Sequence, residues 1–176
     1  FGERMMIANA TGCSSIWGGS FPSIPYSTTA GGRGPAWANS LFENNAEYGY
    51  GMYLGVNQLR EKLAQLMKQA LSMELDDSLK KAFAKWLEVY DDGELSEQAS
   101  QQVLQILHHH PQANNPVLDE IIKYKDYLVK PSVWAIGGDG WAYDIGYNGV
   151  DHVLASGDDI NMLVLDTEVY SNTGPQ

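Results

Sequence analysis

The chain is poor in cysteine: Cys13 is the one thiol among 176 residues. An internal disulfide framework is excluded, and so is an iron–sulfur or metal centre built wholly from this chain's thiolates. Cations are scarce as well, with 11 Lys and Arg against 22 Asp and Glu, a formal net charge of −11 and a pI of about 4.6. Such a surface repels polyanions, so binding of nucleic acid through a basic face is not expected. No unbroken apolar run reaches the roughly 18 residues of a membrane span, and no charged-then-apolar segment opens the chain, so we expect a soluble, cytoplasmic protein without a membrane partner. The commonest phosphate-binding texts are missing too: there is no GxxxxGK[ST], and a GxGxxG read from Gly138 fails at Tyr143. Residue 1 is Phe and no tail follows Gly174-Pro175-Gln176, so a piece of a longer polypeptide is expected.

Glycine is nearly absent from the middle of the chain. Nine of the 18 glycines lie from Gly12 to Gly55 and seven from Gly137 onward, with Gly93 between. The flanks therefore read as loops that build a site, and the middle as helices. Leu59, Leu63, Leu66 and Ala70 recur at the spacing of one helix face, and Leu79, Phe83, Trp86 and Leu87 repeat the pattern behind a Ser78 cap. Val103, Ile106 and Leu107 form a third face before Pro111, and Leu118, Ile121 and Ile122 a fourth after Pro116, which suits a first helical turn. Three apolar runs at the ends, Met5 to Ala8, Ser132 to Ile136 and Met162 to Leu165, do not alternate with polar residues. That is the pattern of strands covered on both faces in a parallel sheet.

Between the second and third runs, Trp141 to Ala155 is long enough for one crossover helix, which makes a right-handed β-α-β unit. Its strands end in Gly138-Asp139-Gly140 and in Asp166-Thr167-Glu168-Val169-Tyr170-Ser171-Asn172, both at the carboxyl edge where open α/β sheets bind ligands. A helix start after two glycines suits a phosphate. Asp139 would repel one, and no Lys or Arg occurs from Pro131 to Gln176 to neutralise it. A Mg²⁺ ion resolves the conflict, since it combines carboxylates with phosphate and water oxygens; Asp139, the Thr167 hydroxyl, the Val169 carbonyl and Asn172 are suitable donors. Read alone, Gly-Asp-Gly is also a common turn, and an Asp-Thr pair after a strand also caps helices.

The same residues resemble a known family. Gly138-Asp139-Gly140 followed after about thirty residues by Asn172 resembles the thiamine-diphosphate motif. The wider text GDGWAYDIGYNGVDHVLASGDDINMLVLDTEVYSNTG is similar to pyruvate:ferredoxin (or flavodoxin) oxidoreductases, as are IANATGCSSIWGGSFPSIPY and GRGPAWANSLFENNAEYG. The resemblance implies that residues 1–176 are part of one thiamine-diphosphate domain of a longer multidomain enzyme. The fold expected is a three-layer α/β/α arrangement with a mainly parallel sheet and a helical insertion at about 56–130. It implies Gly138, Asp139, Gly140, Trp141, Thr167, Glu168, Val169, Tyr170, Ser171 and Asn172 around the diphosphate, with Asp139, Thr167 and Val169 on Mg²⁺. Cys13, whose plain reading is a buried free thiol, becomes one ligand of a [4Fe-4S] cluster beside the cofactor. The activity implied is CoA-dependent oxidative decarboxylation of pyruvate, with electrons passing through iron–sulfur clusters to ferredoxin or flavodoxin, in a homodimer when full length. No catalytic residue is expected here, because the acid that activates the cofactor and the groups that hold pyruvate belong to another domain. Pro175 departs from the family's SNTGGQ. Two rival readings are another 2-oxoacid:ferredoxin oxidoreductase and a non-catalytic Mg²⁺-phosphate-binding domain.

The remaining features read plainly. His108-His109-His110 is a solvated helix end, Asp91-Asp92 and Asp158-Asp159 are solvated turns, and the Asn9-Ala10-Thr11 sequon has no use in a cytoplasmic protein. Arg33, alone in Gly31-Gly32-Arg33-Gly34-Pro35, either reaches an anionic group or satisfies carbonyls.

Overall fold

A computed structural model describes residues 2–12, 14–16, 26–41, 43–109 and 115–170. It is an α/β structure whose four strands are all parallel, in the order β2-β1-β3-β4. The strands are β1 (Met5–Ala10), β2 (Ala36–Ser40), β3 (Ser132–Gly138) and β4 (Asn161–Leu165). The helices are α1 (Asn45–Leu71), α2 (Asp77–Val89), α3 (Gly93–His109), α4 (Pro116–Lys123), α5 (Asp139–Tyr143) and α6 (Tyr147–Ser156). The chain divides into two compact units, Phe1–Leu54 with Ser132–Gln176, and Gly55–Pro131; the boundary falls within α1.

In the sheet unit, the apolar runs of β1 and β3 are the central strands and bury Ile7, Ala8, Val133, Ala135 and Ile136. The edge strand β4 is only half-covered in this chain. The other edge strand, β2, has no apolar run to announce it. Ala-Trp-Ala-Asn-Ser is partly exposed, and it is held by its register with β1, Met6 opposite Ala36 through Ala10 opposite Ser40. The crossover from β3 to β4 is two helices rather than the single one the length suggests. Asp144 has φ −129° and ψ −115°, which ends α5, and Gly146 N–H returns to Gly140 O at 3.3 Å before α6 begins.

Helix α1 starts well before the periodic segment and runs through Gly49, Gly51 and Gly55. Each glycine costs a helix about 1 kcal/mol relative to alanine, and at Gly49 packing supplies the reason: a Cβ there would stand 3.2 Å from Ala8 Cβ and 3.3 Å from Ala135 Cβ. The helix thus lies close on the sheet. At its first residue, fully buried Asn45 donates from Nδ2 to the carbonyls of Ala8 (3.2 Å) and Ile136 (3.4 Å) and accepts from Ser40 Oγ (2.8 Å). One amide thereby ties three strands together.

The helical unit has its own core, in which Leu63, Met67, Leu79, Phe83, Trp86, Val103, Leu118, Ile121 and Leu128 are buried. Its caps differ in part from the sequence reading. Asp76, not Ser78, is the N-cap of α2 and accepts from Ser78 N at 2.7 Å; a carboxylate accepts that bond and also complements the helix dipole. Asp92 caps α3 through Glu94 N (2.9 Å) and Leu95 N (2.8 Å), a role beyond a solvated turn. Asn115 caps α4 with Pro116 in its first turn. Among the described residues, no helix is long and apolar enough to cross a membrane.

Candidate functional site

All four strands are parallel, so their carboxyl ends open on one edge, and the loops after β1, β3 and β4 emerge there. After β3, Asp139 is the first residue of α5 and is buried. After β4, Thr167 turns back onto it. Thr167 N–H donates to Asp139 Oδ1 at 3.0 Å and lies 3.2 Å from Oδ2, while Thr167 Oγ1 donates to Asp139 Oδ2 at 2.6 Å. The carbonyl oxygen of Val169 is 3.3 Å from Thr167 Oγ1. A carboxylate, a hydroxyl and a carbonyl from two loops therefore meet at one point. The Thr167 hydroxyl bond holds the Asp139 carboxyl below the usual aspartate range, against the opposing effect of burial.

Neighbouring oxygens on an octahedral Mg²⁺ stand about 2.9 Å apart, given metal–oxygen distances of about 2.0–2.1 Å. The two spacings found, 2.6 and 3.3 Å, bracket that value. The donor types are also those of Mg²⁺, a hard cation that takes few carboxylates and completes its shell with neutral oxygens and water. Among the described residues no three His, Cys, Asp or Glu side chains are grouped so as to hold a metal ion by themselves, and this donor set uses only one carboxylate.

Beside these oxygens lies a cavity of ≈ 430 Å³ lined by Asp139, Tyr143, Asp144, Asp166, Glu168, Val169 and Tyr170. Four of the seven are acids and none is a base. The sheet unit as a whole has two cations, Arg4 and Arg33, against ten acids, and Arg33 pairs with Glu3 at 3.3 Å. An anionic ligand would enter this cavity only together with a cation.

The glycines of the motif are needed for close approach. A Cβ on Gly140 would lie 2.4 Å from Cε2 of Tyr170, so the Tyr170 ring rests directly on the Gly140 backbone. A Cβ on Gly137 would lie 2.5 Å from Cε3 of Trp141. Trp141 is 1% exposed, and its Nε1 has no hydrogen-bond partner among the described residues. Its indole thus belongs to the core under the motif, and Trp141 is not among the residues that line the cavity. Gly138 is the extended N-cap of α5. Glu168 has φ +61° and is the one non-glycine residue with positive φ among those described.

Cys13, Ser171 and Asn172 lie outside the described residues, as does Pro175. The residues flanking Cys13 are held: Ser14 Oγ donates to Ala10 O (3.0 Å) and accepts from the buried Asn9 Nδ2 (3.3 Å), and Ser15 Oγ donates to Gly12 O (2.7 Å). That turn follows β1, which pairs with β3, so it stands at the same sheet edge as Asp139. Sequence reasoning missed Tyr143, Asp144 and Asp166. Tyr143 had a signal, because it follows Asp139 by four residues and so shares its helix face. Elsewhere, His108 and His109 end α3 with their rings 5.4 Å apart, and Asp158 accepts from Tyr50 Oη at 2.6 Å.

Residues 59–114 match the model of the pyruvate-ferredoxin oxidoreductase insertion domain. Over its whole length the chain is 54% identical to a pyruvate-flavodoxin oxidoreductase of Klebsiella pneumoniae and 54% identical to a pyruvate:ferredoxin oxidoreductase of Moorella thermoacetica, covering 15% of each. It is also 49% identical to a mitochondrial pyruvate dehydrogenase [NADP(+)] of Euglena gracilis, covering 10% of it. The chain therefore spans about a seventh or less of the length of these relatives. With a match to an insertion domain of this type inside a sheet unit that aligns throughout, the chain is similar over its whole length to one stretch of the pyruvate:ferredoxin/flavodoxin oxidoreductases.

Proposed function

We propose that this chain is the diphosphate- and Mg²⁺-binding part of the thiamine-diphosphate domain of a pyruvate:ferredoxin or flavodoxin oxidoreductase. The observation that carries the reading is the convergence of Asp139, Thr167 and Val169 oxygens beside an acidic cavity, from loops 28 residues apart. Asp139 supplies the ligand charge, and its hydrogen bonds to Thr167 keep it ionised and aimed. Thr167 Oγ1 and Val169 O supply neutral oxygens. Gly138 and Gly140 leave room for a phosphate beside the backbone, and Glu168, Tyr170, Ser171 and Asn172 complete the loop around it. Thiamine diphosphate, when bound, supplies a carbanion-stabilising thiazolium for decarboxylating a 2-oxoacid.

Cys13 is one thiolate of a [4Fe-4S] cluster whose other ligands come from elsewhere in the polypeptide. A single Cys cannot hold a cluster, which requires four. The full-length protein takes pyruvate, transfers the acetyl group to CoA and passes electrons to ferredoxin or flavodoxin; the names of the relatives support pyruvate and the acceptors. CoA, the homodimer and the cytoplasmic location rest on the resemblance alone. The match to a relative named for NADP⁺ means that this stretch speaks to the pyruvate chemistry more than to the final acceptor.

The test is calorimetry of thiamine diphosphate binding by the full-length protein with and without Mg²⁺. Wild type is expected to require the metal. Asp139→Asn should weaken binding by at least about tenfold, because a ligand charge is lost, with an unchanged circular-dichroism melt. Wild-type affinity in that variant would remove the metal assignment. In the same preparations, Cys13→Ser should lack about one cluster's iron, and full iron content would return Cys13 to a plain thiol.

A further inference from the structure

The oxygens of Thr167 and Val169 come together only because the chain turns at Glu168, whose φ of +61° disfavours a residue with a Cβ. Something must hold that turn. Asp166, the first residue after β4, does so with both carboxylate oxygens. Its Oδ1 accepts the Glu168 N–H at 2.9 Å, and its Oδ2 accepts the phenol hydroxyl of Tyr143 at 2.9 Å. Tyr143 is the last residue of α5, the helix that begins with Asp139.

From these contacts, we propose that Tyr143 is a positioning residue for the cation loop. Acting through Asp166, it sets the Glu168 turn that brings the Val169 carbonyl beside Thr167 Oγ1, so cation affinity depends on a hydroxyl that is not one of the three donor oxygens. The inference rests on the proposed Mg²⁺ site. Tyr143 is 62% exposed, so removing its hydroxyl takes nothing from the core. Its bond to the Asp166 carboxylate is charge-assisted, and its loss is read through the position of the turn.

The experiment titrates Mg²⁺ into the full-length protein at saturating thiamine diphosphate, by calorimetry, for wild type, Asp139→Asn, Tyr143→Phe, Asp166→Ala and the Tyr143→Phe/Asp166→Ala double variant. Tyr143→Phe should raise the half-saturating Mg²⁺ concentration about tenfold, and Asp166→Ala at least as much. The double variant should be no worse than Asp166→Ala, since both act along one path. Melting temperatures without cofactor should stay within about 2 °C of wild type. If Tyr143→Phe keeps wild-type Mg²⁺ dependence while Asp139→Asn is weakened, the positioning role is wrong and the metal site stands. Additive losses in the double variant would equally overturn it, since the hydroxyl would then act independently of Asp166. If wild type binds without Mg²⁺, the proposed function itself fails, and this inference with it.

Discussion

Asp139 and Gly140 adjoin in the chain, yet they contribute opposite things to the site, a charge and an absence of side chain. The absence is testable. In Gly140→Ala the new Cβ would meet the Tyr170 ring at 2.4 Å, and that ring is only half-buried. We expect a stability change of no more than about 1 kcal/mol but a roughly tenfold or greater loss of Mg²⁺-dependent cofactor binding, by urea unfolding and calorimetry of the full-length protein. The contrast is Gly137→Ala, whose Cβ would meet the indole of buried Trp141 at 2.5 Å. That ring has nowhere to go, and overpacking of this kind costs about 1–3 kcal/mol. Equal stability losses in the two variants would contradict this division of roles. Most residues of the site were legible, because motif glycines and an acid after a strand are local text. Tyr143 carried only a helix-face signal, and its pairing with Asp166 carried none, because that bond joins residues 23 positions apart and no spacing rule names the pair.

Among the elements, the four amphipathic segments of the middle were readable from their period. The extent of α1 was not: its glycines argued for a loop, and at Gly49 close packing on Ala8 and Ala135 reversed that preference. Arg60 of α1, which the sequence reading did not single out, ties the end of α2 to the segment at Tyr127 and Leu128. Arg60 is 3% exposed, and its guanidinium donates from Nη1 to the carbonyls of Tyr127 (2.5 Å) and Leu128 (3.0 Å) and from Nη2 to that of Tyr90. It also lies 5.7 Å from the ring centroid of Trp86 and 5.9 Å from that of Tyr90. Burial lowers its pKa to about 10, so it stays charged at neutral pH and offsets its desolvation with three charge-assisted bonds. Arg60→Met should therefore destabilise by roughly 2–4 kcal/mol, leaving carbonyls at two helix ends without a donor. Arg60→Lys should recover only part of that, since an ammonium's donors sit on one nitrogen and lack the planar spread of the guanidinium. A urea midpoint for Arg60→Met within error of wild type would show that water replaces the guanidinium.

At the scale of the molecule, the chain is two compact units with separate cores. The helical unit buries aromatic and aliphatic side chains from all four of its helical segments, with Phe83, Trp86, Leu118 and Leu128 fully enclosed. Residues 55–131 expressed alone should accordingly give a helical circular-dichroism spectrum and one cooperative thermal transition, as expected of a domain with its own core. A coil spectrum, or a gradual melt without a transition, would show that this core needs the rest of the chain. Independent folding would explain how such an insertion is accommodated between β2 and β3: its stability is its own, and the sheet need only tolerate the two connections.

By itself the sequence determined the fold class, the helical middle, three of the four strands and the loops that carry the candidate ligands. All of these follow from local patterns: apolar period, unalternating runs, and glycine beside an acid at a strand end. Tertiary structure alone decided the rest. β2 is a strand because β1 offers it an edge, Trp141 is core because Gly137 leaves room for its indole, and Gly49 stands in α1 because the sheet lies against it. The arrangement of Asp139, Thr167, Val169 and the Tyr143–Asp166 pair depends on which strands are neighbours. Hydrogen bonds between distant residues are set by that order, which the spacing of residues along the chain does not encode.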